Sequence, residues 1–226
     1  TPGAVSGNST IRTSDLGFGD TNDESGVTVG IGDGFSGLEL DVLRVDDEPS
    51  DEGTLPGPFG AMQTGDITSS ELELNEVRLS YRACLFGTEF DVRDQPLEVK
   101  LGLGGTLIYR DFQLDTFDGN GSGRRARIET NSGIVYQPSV RGGATWNNIG
   151  LLVDYGYADG LNTGGDWDGV HQDIRFELSY DFPTEAVQIF GTWRRSEFEA
   201  SGVSGGLNYQ NDLILDGFEL GARFAF

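Results

Sequence analysis

The chain has 226 residues, a formal net charge of −22 and one cysteine, Cys84. This acidic balance excludes nucleic acid as a partner, because the phosphate backbone would be repelled, and one cysteine cannot form an internal disulfide. The sequence contains no run of about 18 apolar residues, so we expect no transmembrane helix. Its length and its 35 glycines fit one all-β domain with many turns over residues 1–226.

Apolar residues alternate with polar ones along most of the chain. The alternation predicts a β-hairpin over residues 26–43 across the turn DGFS, and then strands in EVRLSYRACLF, PLEVKLGLGGTLIYR, GIVYQPSVRGGATW, IGLLVDYGY, DIRFELSYDF and AVQIFGTW. A helix would scatter the same residues around its circumference. Before the hairpin, STIRTSDLGFG is a weaker strand pattern, with Leu16 and Phe18 facing outward.

Short and long connections alternate between the predicted strands. The long ones cover residues 46–68, 114–128, 158–169 and 195–210. Short turns at one end and long loops at the other are typical of an antiparallel up-and-down β-barrel, including the transmembrane kind. Nine clear strands and the weaker one give ten, the even number that both termini on one side require; eight strands is the alternative.

Charged residues occupy the positions between the apolar ones in the predicted strands. This face carries Glu39, Asp41, Arg78, Arg82, Glu98, Lys100, Arg110, Arg141, Asp154, Asp173, Arg175, Glu177, Arg194, Glu219 and Arg223. Eight bases against seven acids is close to neutral, so the excess acid lies in the connections. Aromatic residues near the ends of the apolar rows and the abundance of arginine favour a barrel whose apolar face meets lipid and whose charges form a network in the lumen.

The last predicted strand, FELGARFAF, places Phe218, Leu220, Phe224 and Phe226 on one apolar face. It resembles the closing strand of Gram-negative outer-membrane β-barrel proteins. The resemblance implies export with removal of a signal peptide, insertion into the cell outer membrane, and contact with its lipid and lipopolysaccharide. It also implies that these four residues are the signal read by the barrel-assembly machinery. No subfamily is indicated.

One segment has the spacing of a calcium-binding loop. In DGNGSGRRARIE the oxygen-bearing residues at the first, third, fifth and twelfth positions are Asp118, Asn120, Ser122 and Glu129. Three arginines in the same segment would repel a cation. We therefore expect a hairpin loop without metal, and no cofactor anywhere in the chain.

The only histidine, His171, shares a strand face with Asp173. A carboxylate beside a histidine can orient it as a general base. No nucleophile lies within reach in the sequence, so we do not expect an enzyme.

The sequence thus predicts a structural or anchoring protein of the outer-membrane wall, with acidic outer loops and a charge-filled lumen. Two alternatives stay open. One is a narrow, porin-like pore for small polar solutes or ions, and the other is a lipid-modifying hydrolase or protease that uses His171. The oligomeric state, any partner of the outer loops, and binding of divalent cations by those loops are not fixed by the sequence.

Overall fold

The structure, a computed structural model, describes residues 13–16, 24–47, 52–160, 162–163, 169–182, 187–204 and 207–224. These ranges contain one short 3-10 helix, Thr13–Leu16, and the strands β1 (Glu24–Gly32), β2 (Gly37–Asp47), β3 (Gly53–Thr54), β4 (Ile67–Val92), β5 (Gln95–Asp118), β6 (Arg125–Trp146), β7 (Ile149–Asp159), β8 (Asn162–Thr163), β9 (Val170–Asp181), β10 (Val187–Ser204) and β11 (Leu207–Phe224).

The strands form one antiparallel sheet of the up-and-down kind. Its path runs β1-β2-β4-β5-β6-β7-β9-β10-β11, and the two-residue strands β3 and β8 pair with β4 and β6 beside it. Each long strand therefore pairs with the long strands before and after it in the chain. The all-β meander predicted from the alternation is confirmed.

Tight turns connect the strands at one end of the sheet, which we call the lower end. Arg93 and Asp94 alone join β4 to β5, with φ angles of 54° and 63°. Two successive positive φ angles identify a type I′ turn, whose twist matches that of the flanking strands. The opposite end of the sheet is the upper end.

Two segments predicted as long loops are in fact strands. β5 continues to Asp118 and β6 begins at Arg125, so only the middle of the predicted loop 114–128 is a turn. Likewise β10 continues to Ser204 and β11 begins at Leu207, within the predicted loop 195–210. The prediction failed because these extensions alternate in the opposite sense from the rest of each strand.

The weak strand predicted over residues 9–19 is wrong in its described part. Thr13–Leu16 is a 3-10 helix, and the carbonyl oxygen of Asp15 accepts a hydrogen bond from the Thr68 hydroxyl at 3.3 Å. Leu16 is buried rather than outward-facing. Phe18 lies outside the described residues.

Among the described residues the path contains nine strands rather than the predicted ten. Its two end strands, β1 and β11, both run from the upper end to the lower end. Within the described ranges no pairing joins β1 to β11.

The apolar side of the lower sheet faces outward. Leu101 on β5 has 56% of its surface exposed, and Val140 and Phe176 are exposed as well. Arg141, which follows Val140, and Arg175, which precedes Phe176, are each only 6% exposed. The predicted sidedness, with apolar side chains outside and arginines inside, is therefore confirmed.

This sidedness reverses near the upper end, and β5 shows how. On its outer face the row from Leu97 to Tyr109 is apolar, and the next outward residue is Asp111. On its inner face Arg110 is buried, and the next inward residue, Phe112, is buried too. The outside thus changes from apolar to polar where the inside changes from mainly charged to apolar. Below Arg110 the inner face also holds one small apolar cluster, formed by Ile108, Val135 and Ala158.

Neighbouring strands change at the same level. On β2 the outward row changes from apolar to polar after Val42. Val42 pairs with Val77 of β4, and Val77 pairs with Tyr109 of β5. On β10 the outward change comes after Trp193. We call the outward apolar set below this level the apolar band; it includes Leu38, Leu40, Val42, Val77, Leu79, Tyr81, Leu101, Leu103, Leu107, Tyr109, Ile134, Tyr136, Val140, Ile149, Leu151, Tyr155, Tyr157, Phe176, Leu178, Tyr180 and Ile189.

The inward apolar residues above this level form a conventional hydrophobic core. This upper core consists of Leu16, Val45, Leu55, Met62, Leu72, Leu74, Phe112, Leu114, Ala126, Ile128 and Phe198. Leu55 and Met62 come from the segment between β2 and β4, which folds inward and is fixed by backbone hydrogen bonds between Phe59 and Met62 of 2.9 and 3.2 Å. The upper core therefore fills the mouth of the curved sheet.

Shortening a side chain in the upper core should destabilise the fold strongly. We expect Leu74→Ala to lower the free energy of unfolding by about 2–5 kcal/mol, because it removes buried methyl groups and leaves a cavity. Asp111→Ala, on the outer face at the same height, should change it by less than about 0.5 kcal/mol. Urea unfolding measures both, and equal effects would contradict an upper core.

Candidate functional site: the interior charge network

The inner face of the sheet below the upper core is lined with paired charges. We call this set the charge network; it consists of Glu39, Asp41, Glu76, Arg78, Arg82, Arg110, Arg141, Asp154, Asp173, Arg175, Glu177, Arg194 and Arg223. Period two places them inward because they alternate with the outward residues of the apolar band. The sequence prediction missed one member, Glu76, although it shares the parity of Arg78.

Glu76 lies at the top of the network between two arginines. Its carboxylate accepts hydrogen bonds from the Nε atoms of Arg78 and Arg110. Arg78 and Arg110 are 1% exposed and Glu76 is 2% exposed. Arg78 also donates to Asp173 at 2.5 Å and to the Ser196 hydroxyl at 2.8 Å. Burial of these charges is tolerated because each has a close partner of opposite sign.

His171 belongs to this upper part of the network. Its Nδ1 lies 2.7 Å from Nη1 of Arg110, and its ring stacks on Phe198 with 6.4 Å between the centroids. A guanidinium can only donate, so His171 Nδ1 accepts this bond. His171 is 2% exposed. Nδ1 is therefore the unprotonated ring nitrogen, which is the one that a general base would use. It is buried and bonded to Arg110.

Asp173, the second residue of the catalytic alternative, is bound by two arginines. Arg194 donates to its two carboxylate oxygens at 3.0 and 2.6 Å, and Arg78 donates to one of them. These contacts place Asp173 in the charge network together with His171.

The middle of the network connects strands that lie far apart in the sheet. Arg175 of β9 donates to Glu39 of β2 at 2.8 Å and to Glu177 at 3.0 Å. Arg82 and Arg141 both contact one oxygen of Asp154 at 2.6 Å. Four strands separate β2 from β9 along the path, so the ion pair with Glu39 requires the sheet to roll up around the network.

The lower part of the network is built around Arg223 of β11. Its guanidinium donates to both oxygens of Glu177, at 2.5 and 2.8 Å, and lies 4.1 Å from the ring centre of Phe190. Gln188 accepts from Arg223 and donates to Asp181. The last strand is thereby tied to β9 and β10.

Three predicted members lie at the rim rather than in the buried network. Lys100 and Glu98 form an ion pair of 3.0 Å, with side chains 29% and 43% exposed. Glu219 is also exposed. All three share the predicted parity, but they lie where solvent reaches the inner face.

The turn between β1 and β2 closes the lower end of the interior. Phe35 is buried, and its ring packs against the backbone of Gly102 and Gly143, where an added Cβ atom would approach it to 3.0 Å. Arg141 donates to the Phe35 carbonyl at 3.0 Å, and the Asp33 carboxylate accepts from the Phe35 amide. The sequence prediction missed this wedge; its available signal was an aromatic residue inside a short turn opposite inward glycines.

The candidate metal ligands do not all come together: Asp118 and Ser122 contact each other, whereas Glu129 lies apart on β6. Asp118 accepts hydrogen bonds from Ser122 and from the Asn120 amide, and Arg124 donates to it at 2.8 Å. These bonds, that of Ser122 first, lower the pKa of Asp118 to about 2. Glu129 lies on β6 and pairs with Arg127 at 3.0 Å. Within the described part of the chain, no group of three His, Cys, Asp or Glu side chains could hold a metal ion.

The predicted assembly residues lie at the free edge of the sheet. Phe218 and Leu220 point outward from β11 and are 87% and 88% exposed. Phe224 ends β11, and Phe226 lies outside the described residues.

Removing the central carboxylate of the upper network should be costly. We expect Glu76→Gln to lower the free energy of unfolding by about 3–5 kcal/mol, because two buried arginines lose a shared negative partner. The matched change Glu98→Gln removes a half-exposed ion pair and should cost less than about 1 kcal/mol. Urea unfolding compares the two, and a cost of Glu76→Gln as small as that of Glu98→Gln would contradict the pairing of Glu76 with the two arginines.

Comparisons with family models, curated proteins and solved structures gave no match. Among the described residues no helix is long and apolar enough to cross a membrane.

Proposed function

We propose that this chain closes into an outer-membrane β-barrel that acts as a non-conducting anchor and wall element, holding a water-exposed sheet above the bilayer. The observation that carries the proposal is the reversal of both faces of the sheet at one level. Exposing apolar side chains over half the height of a barrel is unfavourable in water. It is favourable where lipid surrounds the barrel.

The height of the apolar band agrees with a bilayer. On β5 the outward apolar row from Leu97 to Tyr109 spans twelve residue steps, which is about 41 Å along a strand. A tilt of about 45° reduces this to about 29 Å, close to the thickness of the hydrocarbon core. Above the band, Asp111 and its neighbours would lie in water.

A filled interior supports an anchor rather than a pore. The upper core occupies the upper end, Phe35 occupies the lower end, and the charge network lies between them. The cavity in the middle of the network measures about 10 Å³, which is room for about one water molecule. Solutes and hydrated ions need far more space.

The polar sheet above the band supports contact with the outer surface of the membrane. Most of its outward residues are charged or polar: Arg44, Asp46, Glu71, Glu73, Asn75, Asp111, Gln113, Arg127, Glu129, Arg195, Glu197, Glu199 and Asp216. The exposed Ile214 is an exception. We propose outer-membrane lipid and lipopolysaccharide as the surroundings of the barrel, and the barrel-assembly machinery as the reader of its last strand. The resemblance of FELGARFAF to such closing strands supports this.

Closure of the barrel follows from the same proposal. Unpaired N–H and C=O groups of a sheet edge are too costly in hydrocarbon, so spanning sheets have no free edge. The free edges of this sheet are β1 and β11, which carry the exposed residues Val27 and Leu220. Because both strands run downward, we propose that they pair in parallel.

Cysteine cross-linking tests this closure. In a Cys84→Ser background, Val27→Cys is combined with Phe218→Cys, Leu220→Cys or Ala222→Cys. We expect one of the three pairs to form a disulfide within the monomer, because paired strands bring cysteines within bonding distance. Val27→Cys with Leu103→Cys, across the barrel, is the negative control. A disulfide-linked dimer, or no cross-link in all three pairs, would contradict closure within one chain.

Membrane insertion and conductance test the proposed function together. In the Cys84→Ser background, a fluorophore on Leu103→Cys should be quenched strongly by brominated lipid chains, and one on Asp111→Cys weakly. Both residues face outward on the same strand, so the pair differs only in height. A detergent-folded sample should also migrate differently on gels before and after boiling.

The inserted protein should give no steady channels in planar bilayers, because the interior is filled. Steady single-channel steps would contradict the anchor and support the narrow pore. Equal quenching at the two labelled positions would contradict the membrane location itself.

A further inference from the structure

The cavity in the middle of the charge network is surrounded by nearly every long strand of the sheet. It is lined by Arg82, Thr106, Gln137, Ser139, Asp154, Gly156, Asp173, Arg175 and Arg194. These residues come from the six successive path strands β4, β5, β6, β7, β9 and β10. The cavity therefore lies near the axis of the rolled sheet, and its volume of about 10 Å³ is that of a site for a single water molecule.

Four buried polar atoms of residues that line this cavity have no hydrogen-bond partner among the described residues. Two are donors, the Nε–H groups of Arg82 and Arg175; the other two are Oδ1 of Asp154 and the hydroxyl oxygen of Ser139. Arg82 Nε lies 2.6 Å from Oδ2 of Asp154 but is not aligned for a hydrogen bond with it. Leaving such groups unsatisfied costs about 1–3 kcal/mol each.

The geometry points to a structural water molecule held by these four groups. A water molecule accepts two hydrogen bonds and donates two, which matches two arginine N–H donors and two oxygen acceptors. An anion accepts only, so it would face the Asp154 carboxylate without a bond and be repelled by it. A metal cation would meet the positive charges of Arg82 and Arg175.

This water would join four strands that the direct ion pairs connect only in part. Arg82 lies on β4, Ser139 on β6, Asp154 on β7 and Arg175 on β9. The upper core and Phe35 close the two ends of the interior. The inference therefore goes beyond the anchor function, and it holds whether or not the apolar band lies in a membrane.

A crystal structure of the unmodified protein, with crystals soaked in bromide, tests the site directly. We expect one water-sized density peak within hydrogen-bonding distance of Arg82 Nε, Arg175 Nε, Asp154 Oδ1 and Ser139 Oγ, and no anomalous signal there. Anomalous density from bromide would overturn the inference in favour of an anion site. Absence of any peak, with the four groups bonded to one another, would overturn it as well.

Two valine variants give a matched second test. Ser139→Val removes an acceptor and places a methyl group toward the cavity, so the peak should be lost. Thr192→Val removes another buried hydroxyl without a partner among the described residues, one that does not line the cavity, so the peak should remain. Persistence of the peak in Ser139→Val would contradict the assigned ligands, and its loss in both variants would contradict the assigned place.

Discussion

The pairing of charges inside the rolled sheet is the constraint on which the other features depend. A buried arginine is tolerated only where a carboxylate lies within reach, and the interior of a small barrel is filled by side chains rather than by solvent. Glu76 between Arg78 and Arg110, and Glu39 bound to Arg175, satisfy this condition. Because four strands separate Glu39 from Arg175 along the path, the ion pairs also fix how tightly the sheet rolls. The same contacts that neutralise the charges therefore set the shape of the molecule.

The charge network does not continue to the top of the strands, where the outer face changes as well. Where Asp111 faces outward, the outer face is polar and the inner face is apolar, as in an ordinary soluble protein. Phe112 and Leu114 then pack with Leu74 in the upper core. One strand thus has two regions with opposite sidedness that meet at Arg110, where the pairing with β4 is regular and the pairing with β6 shifts register. The long strands β4 and β5 are the consequence, because they continue through both regions.

The sequence predicted the lower region well and the upper region poorly, and the reason is physical. Alternation in PLEVKLGLGGTLIYR placed Leu101 and Arg110 on opposite faces, as they are. Beyond Arg110 the apolar residues move to the other parity, and on β6 the pairing also shifts register opposite Asp111. One continuous apolar row therefore ends near Arg110, and the residues beyond it were predicted to form a loop. Phe35 was missed for a different reason: its burial depends on glycines more than sixty residues away in the chain.

The charge of this protein is distributed unevenly between its interior and its surface. The inner charges are nearly matched, so the net charge of −22 lies mainly on the connections and on the outward surface above the apolar band. Between Phe35 and the upper core, the cavity in the middle of the charge network has room for about one water molecule. The upper polar sheet is continuous with the strands that carry the charge network, so the inner ion pairs also hold that upper surface in place.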